Sequence, residues 1–250
     1  PASSHAEACA VDAVAQALQT ATVCAIARAV ERDIRVAAQA VQRARKKRLH
    51  VFVNVSDIQI KHQLRCSHAR VVEMIRNGVR MAHEEVGEVE FTPMDATRAE
   101  LPFLLECVDV ASHAGAAVIN IADTVGCAHP QQITQLFATL LRHLELRAVC
   151  FSFHGQNDFG LAVANSLAAI GAGATQIEVA VNGLGERAGR GRGAVGAARR
   201  GRPRVGAGAE RVRAAAARGN ARRPVPVARP QPLGVRRAGG DGRHVVFGVP

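Results

Sequence analysis

Short runs of β-branched residues alternate with longer stretches in which apolar positions return every three or four residues. The first helical period covers about 7–19 and gives way to the apolar run Ala21-Thr-Val-Cys-Ala-Ile-Ala27. A helix is predicted over about 30–45, followed by the strand Leu49-His-Val-Phe-Val-Asn-Val55. A long helix over about 67–86 precedes Glu88-Val-Glu-Phe-Thr92, and a helix over about 99–114 precedes Ala117-Val-Ile-Asn-Ile121. Helix about 130–144 then leads to Ala148-Val-Cys-Phe-Ser-Phe153, and helix about 159–171 leads to Gln176-Ile-Glu-Val-Ala-Val181. This rhythm predicts βα units, a parallel sheet and about six strands.

Polar residues gather where those strands end: Ser56-Asp57, Thr92, Asp123-Thr124, His154 and Asn182. In a (β/α)8 barrel that rim carries the chemistry. The fold expected is therefore an α/β partial TIM barrel over 1–189, with a doubly wound open sheet as the alternative. No glycine-rich phosphate loop follows an early strand, which argues against a dinucleotide-binding fold.

Residues 190–250 are different material. Gly, Ala, Arg, Pro and Val fill 54 of these 61 positions, and neither a helical nor a strand period runs through them. Two readings stand open. One is a disordered Arg-rich arm that contacts nucleic-acid phosphates non-specifically. The other is the text of a shifted reading frame in a GC-rich coding sequence, since these five residue types share GC-rich codons.

Charge separates the same two parts. The net +11 divides into −2 over 1–189 and +13 over 190–250, so the basicity says nothing about the folded body. The run Arg43-Ala-Arg-Lys-Lys-Arg48 reads as a solvated helix end that complements the helix dipole. Six cysteines without CxxC spacing read as buried, reduced thiols. With no 18-residue apolar run and no leader pattern, a cytoplasmic location and no membrane contact are expected. Asp57 reads as a cap for the turn that follows it. His5, His62, His68, His83, His113, His129 and His143 read as solvent-facing. Taken alone, His154 reads as a hydrogen-bonded structural imidazole.

An ordered series of segments changes that last reading. Ala21-Thr-Val-Cys-Ala-Ile-Ala-Arg-Ala29, Leu49-His-Val-Phe-Val-Asn-Val-Ser-Asp-Ile58 and Val89-Glu-Phe-Thr-Pro-Met-Asp-Ala-Thr-Arg98 come first. Ile119-Asn-Ile-Ala-Asp-Thr-Val-Gly126, Phe151-Ser-Phe-His-Gly-Gln-Asn-Asp-Phe-Gly160, Leu161-Ala-Val-Ala-Asn-Ser-Leu-Ala-Ala169 and Asn182-Gly-Leu-Gly-Glu-Arg-Ala-Gly189 follow, and Pro1-Ala-Ser-Ser4 opens the set. In this order and spacing the body resembles the catalytic barrel of the 2-isopropylmalate synthase family, which includes homocitrate and citramalate synthases.

The resemblance implies condensation of acetyl-CoA with a 2-oxo acid (2-oxoisovalerate for the leucine-pathway members), a homodimer, and a divalent cation (Mg, Mn or Zn) that polarises the oxo group. By position, His50 matches a substrate-contacting histidine, and Thr92 stands at a small-hydroxyl position. Thr124 matches a threonine that holds the substrate carboxylate, and His154 matches the first metal imidazole. Several positions depart from the pattern. Gln156 replaces the second metal imidazole, Met94 the active-site Glu, Gln59 a histidine, and Arg190 an Asn metal ligand. The family's first strand, with its Arg-Asp pair, has no counterpart here. The resemblance therefore implies the scaffold with weak metal binding and little or no turnover, and a barrel with two unpaired edges.

Overall fold

The computed structural model describes residues 5–144, 149–191 and 245–247. Pro1–Ser4 and the tail positions 192–244 and 248–250 lie outside the described residues, and with them most of the segment read as a disordered or frame-shifted arm.

Strands and helices alternate along the described chain. The strands are β1 (Val23–Arg28), β2 (Lys47–Asn54), β3 (Val89–Met94), β4 (Ala116–Asp123), β5 (Cys150–Gly155), β6 (Gln176–Val179) and β7 (Val245–Phe247). The helices are α1 (His5–Ala17), α2 (Glu31–Ala40), the single turn α3 (Asp57–Gln59), α4 (His68–Val86), α5 (Leu101–His113), α6 (Pro130–His143) and α7 (Ala162–Gly171). The sheet order is β1-β2-β3-β4-β5-β6-β7 and every pairing is parallel. A doubly wound sheet reverses its order at a switch point. Strict succession without reversal is the barrel pattern, so the doubly wound alternative falls.

The sheet also curls. Strands four places apart in a flat sheet lie about 19 Å from each other. Arg48 on β2 nevertheless donates to Gln176 Oε1 on β6 at 2.8 Å. The result is a half-barrel with a concave inner face and a convex face covered by helices.

Helix ends follow local chemistry. Ser67 caps α4 by accepting from the Arg70 N–H at 3.3 Å, and α4 ends at Gly87, whose φ of +82° suits a residue without Cβ. The α4 stripe Val71, Val72, Ile75, Val79 and Ala82 is buried, matching the amphipathic period predicted for 67–86. His129 and Gln132 form a reciprocal capping box at the start of α6, and Pro130 takes the first helical position. Phe137 of α6 then meets Phe151 and Phe153 of β5 edge-on, with centroids 6.1 and 6.0 Å away.

Five sequence readings need correction. Val245–Phe247 forms a seventh strand on β6, so the tail is not wholly without strand and the β6 edge is covered; the apolar triplet Val-Val-Phe supplies the propensity. The helix after β1 stops at Ala40, and the basic run that follows it is not all solvated: Arg48 is 2% exposed and lies inside the barrel. Arg43 pairs with Asp12 of α1. Asp57 is the first residue of its turn rather than the cap, and its carboxylate takes His68 Nε2 at 2.8 Å. Of the six cysteines only Cys107 is buried, while Cys9 and Cys150 are exposed; none is in a disulfide. Of the seven histidines read as solvent-facing, His62, His68, His83, His113, His129 and His143 are exposed, and the His5 side chain lies outside what is described. Among the described residues no helix is long and apolar enough to cross a membrane.

Candidate active site on the inner face

Alternate residues of a strand share one face. On the inner face this rule lines up two tiers of polar side chains. The lower tier is Arg48 (β2), Glu90 (β3), Ser152 (β5) and Gln176 (β6). The upper tier, two residues further along each strand, is His50, Thr92, Asn120 (β4), His154 and Glu178. Barrels ordinarily fill these layers with Val, Ile and Leu, so a polar interior is a departure that the hydrogen bonds must support.

The lower tier is closed upon itself. Arg48 donates to Glu90 Oε2 at 2.9 Å and to Gln176 Oε1 at 2.8 Å, and also grips Glu88. Gln176 Nε2 donates to Glu90 Oε1 at 2.8 Å and to Ser152 Oγ at 3.1 Å. Glu90 has no exposed surface. Burial pushes its carboxyl above the usual range, against the pull of His50 and Arg48.

The upper tier is a chain of donors converging on Glu178. Asn120 Nδ2 donates to Thr92 Oγ1 at 2.9 Å, and Thr92 Oγ1 lies 2.5 Å from His50 Nε2. His50 Nδ1 faces Glu178 Oε1 at 3.6 Å, while His154 Nδ1 bonds Glu178 Oε2 at 2.6 Å. Gln156 Nε2 lies 3.1 Å from His154 Nε2 and 3.4 Å from Glu186 Oε2. One proton arrangement satisfies the set: Thr92 gives its O–H to His50 Nε2, both rings turn Nδ1–H toward Glu178, and Gln156 gives an N–H to His154 Nε2.

The structure thus brings together four of the residues singled out by sequence: His50, Thr92, His154 and Gln156. It does not bring in Thr124. The Thr124 hydroxyl accepts the Asp95 N–H at 2.8 Å, and Asp95 has a φ of +65°. Thr124 therefore steadies the loop after β3. Met94 ends β3 half-buried, opposite Asn54 in the β2 register. Arg190 pairs through its backbone with Gln156 as an isolated bridge, and its charge helps lower the Glu178 and Glu186 carboxyls. Glu186 and Arg187 form the turn beside it, where Arg187 binds Asp158 and the Thr124 carbonyl.

Sequence reasoning missed Glu178, Glu90, Arg48 and Asn120. A signal was present: Arg48-x-His50, Glu90-x-Thr92, Ser152-x-His154 and Gln176-x-Glu178 each put two polar residues on one strand face.

Comparison with known proteins agrees with this geometry. The HMGL-like family model matches residues 1–192. Three proteins named 2-isopropylmalate synthase, from Nitrosospira multiformis, Staphylococcus epidermidis and Hydrogenovibrio crunogenus, are 45%, 44% and 46% identical over 190 residues. The match covers 76% of this chain and spans 37% of the length of each of those relatives. The fold is similar to hydroxymethylglutaryl-CoA lyase from Pseudomonas aeruginosa (TM-score 0.59, 17% identity, 69% of this chain and 59% of that one). It is also similar to the HMG-CoA lyase from Brucella melitensis (TM-score 0.57, 15% identity, 69% and 62%). A sequential parallel half-barrel, a rim of polar residues at strand ends and a family match over residues 1–192 lead to one assignment: the chain belongs to the HMGL-like family.

Proposed function

We propose that the half-barrel is the catalytic scaffold of a 2-isopropylmalate synthase, the enzyme that condenses acetyl-CoA with 2-oxoisovalerate, and that this chain turns over poorly. The observation that carries the reading is the 44–46% identity to enzymes of that name over 190 residues. Homocitrate and citramalate synthases perform the same condensation on other oxo acids and are the nearest alternatives. The same reading carries a homodimer in the cytoplasm.

The roles follow from chemistry on the inner face. His50, oriented by Thr92, would hold an oxo or hydroxyl oxygen of the substrate. The resemblance gives Thr124 the substrate carboxylate, but its hydroxyl, on the loop after β4 rather than on the inner face, accepts the Asp95 N–H. His154, fixed by Glu178, and Gln156 stand where a divalent cation (Mg, Mn or Zn) would be held to polarise the oxo group.

The donor set does not fit that cation. The Nε2 lone pair of His154 is taken by the Gln156 amide. Gln156 Oε1, buried without a partner, offers one neutral oxygen. The carboxylate beside it, Glu186, shares its surroundings with the Arg190 guanidinium. Met94 supplies neither charge nor a proton acceptor where the condensation needs a carboxylate. These substitutions favour an inherited scaffold with impaired chemistry.

The test is thiol release from acetyl-CoA with 2-oxoisovalerate, run beside calorimetry of Mn binding with and without the oxo acid. Turnover near background and no Mn binding strengthened by the oxo acid are expected. Full turnover, or restoration by Gln156→His alone, would overturn the reading.

A further inference from the structure

Three donor side chains of different kinds stand together on the β1–β3 side of the inner face, Cys24 and Glu90 in the lower tier and His50 in the upper. Cys24 on β1, His50 on β2 and Glu90 on β3 each bring a ligand atom within 4.8 Å of the other two. They come from three adjacent parallel strands, so the rigid sheet, rather than a loop, sets their spacing. Glu90 is fully buried, His50 is 8% exposed, and Cys24 is half-buried.

We propose that Cys24, His50 and Glu90 form a site for one zinc-like divalent cation on the inner face of the barrel, distinct from the His154 position. A thiolate, an imidazole and a carboxylate make the mixed S/N/O set that a borderline-soft ion accepts and that Mg or Ca does not favour. Three protein ligands leave a fourth position open to water.

The surrounding groups already hold the ligands in place, as second contacts do in zinc sites. Arg48 and Gln176 each donate one hydrogen bond to Glu90, one per oxygen, at 2.9 and 2.8 Å. A lone pair remains on each oxygen for a cation. For His50 to ligate, one of its two contacts gives way, the Thr92 bond at Nε2 or the longer approach to Glu178 at Nδ1, and the other is kept. The charges also suit an ion. Without one, burial holds the Cys24 thiol protonated, well above its ordinary value, and the carboxylates Glu90 and Glu178 press it the same way. When the cation enters, the Sγ–H bond breaks, the proton leaves to solvent, and the thiolate lone pair forms the S–metal bond. Arg48 bonds Glu88 as well as Glu90, so two carboxylates share its charge.

The experiment is an anaerobic titration of the full chain with Co2+, read by absorbance, then displacement with Zn2+. One equivalent of Co2+ should give an intense thiolate-to-cobalt charge-transfer band that Zn2+ abolishes. Cys24→Ser, a near-isosteric change, should lose the band while circular dichroism stays native. Glu90→Gln should weaken Co2+ binding by roughly 10-fold or more, and Cys9→Ser, Cys66→Ser and His154→Ala should keep the band. Absence of a thiolate band in the parent chain would overturn the site, as would a band that survives Cys24→Ser. Loss of the band in His154→Ala with native circular dichroism would assign the ion elsewhere and also overturn it. Failure of this titration is separable from failure of the synthase reading, because the band reports on Cys24 and needs neither acetyl-CoA nor oxo acid.

Discussion

Oε2 of Glu178 lies 2.6 Å from Nδ1 of His154, so a carboxylate on β6 fixes the imidazole of the neighbouring strand. Burial alone would raise the Glu178 carboxyl, but the His154 hydrogen bond and the electrostatic pull of His50, His154 and Arg190 outweigh it and hold it at about 2. The folded value lies below the unfolded value of about 4.3, so this contribution is present above that pH and is lost as pH falls toward 2. Acid unfolding followed by circular dichroism should show a steeper loss of stability across that window in the parent than in Glu178→Gln. Equal slopes would mean that the pair does not differ between the folded and unfolded chain.

Arg48→Met should be among the most damaging single changes in the barrel. It leaves Glu90 buried without its guanidinium, and breaking one side of a buried ion pair costs about 3–5 kcal/mol. The double variant Arg48→Met with Glu90→Leu should recover much of that loss, because no buried charge is stranded. Urea denaturation of the two variants beside the parent checks this; a cost below about 1 kcal/mol for the single change would contradict the role given to Arg48.

Gly126 ties the loop after β4 to the loop after β5. Its φ is +59°, and a Cβ there would meet Asp158 Oδ2 at 2.6 Å and the Gln156 carbonyl at 2.8 Å. Gly126→Ala should cost about 1–3 kcal/mol and push Asp158 off Arg187. Hydrogen exchange at the Phe159 amide, which donates to the Gly126 carbonyl at 3.2 Å, should quicken. An unchanged amide would show that the loops move as one body.

Thiol chemistry should sort the cysteines by place. Exposed Cys9 and Cys150 should react with a thiol reagent in the native protein, while Cys107 should react only on unfolding. Burial first, and then Glu106, push the Cys107 thiol up to about 12. Its folded value lies above the unfolded value of about 8.5, so the stability it contributes is present below that pH and fades as pH rises toward 12. Cys107→Ala should flatten stability over that alkaline range, and fast labelling of Cys107 in the native state would contradict its burial.

Periodicity made the scaffold legible. The long helix expected over 67–86 is α4 almost residue for residue, and the six βα strands lie where apolar runs were read. Such elements are written locally, in the spacing of Val71, Ile75 and Val79 or the alternation along β2. The inner-face network is not local. Arg48 meets Gln176 across 128 positions of sequence, and the one local sign, its place two residues before His50 on a strand face, does not name that partner. Glu178 was hidden for the same reason, because its partners His50 and His154 arrive from other strands. His50, Thr92, His154 and Gln156 were found through resemblance, and their actual linkage through Glu178 was not. Val245–Phe247 was missed because three apolar residues in an Arg- and Gly-rich text carry too little pattern to announce a strand.

The unbroken succession of strands bears on biogenesis. From β1 to β6 each strand pairs with the one synthesised just before it, so the sheet can grow in the direction of translation, helix by helix, with short loops to close. The β6–β7 pairing keeps that order but only after a long interval, since Val245 emerges long after Ile177. Loop-closure entropy grows only slowly with length, so the delay is mainly kinetic. Until Val245 leaves the ribosome, β6 presents a bare edge, and that interval is when the nascent chain is most open to pairing with another copy.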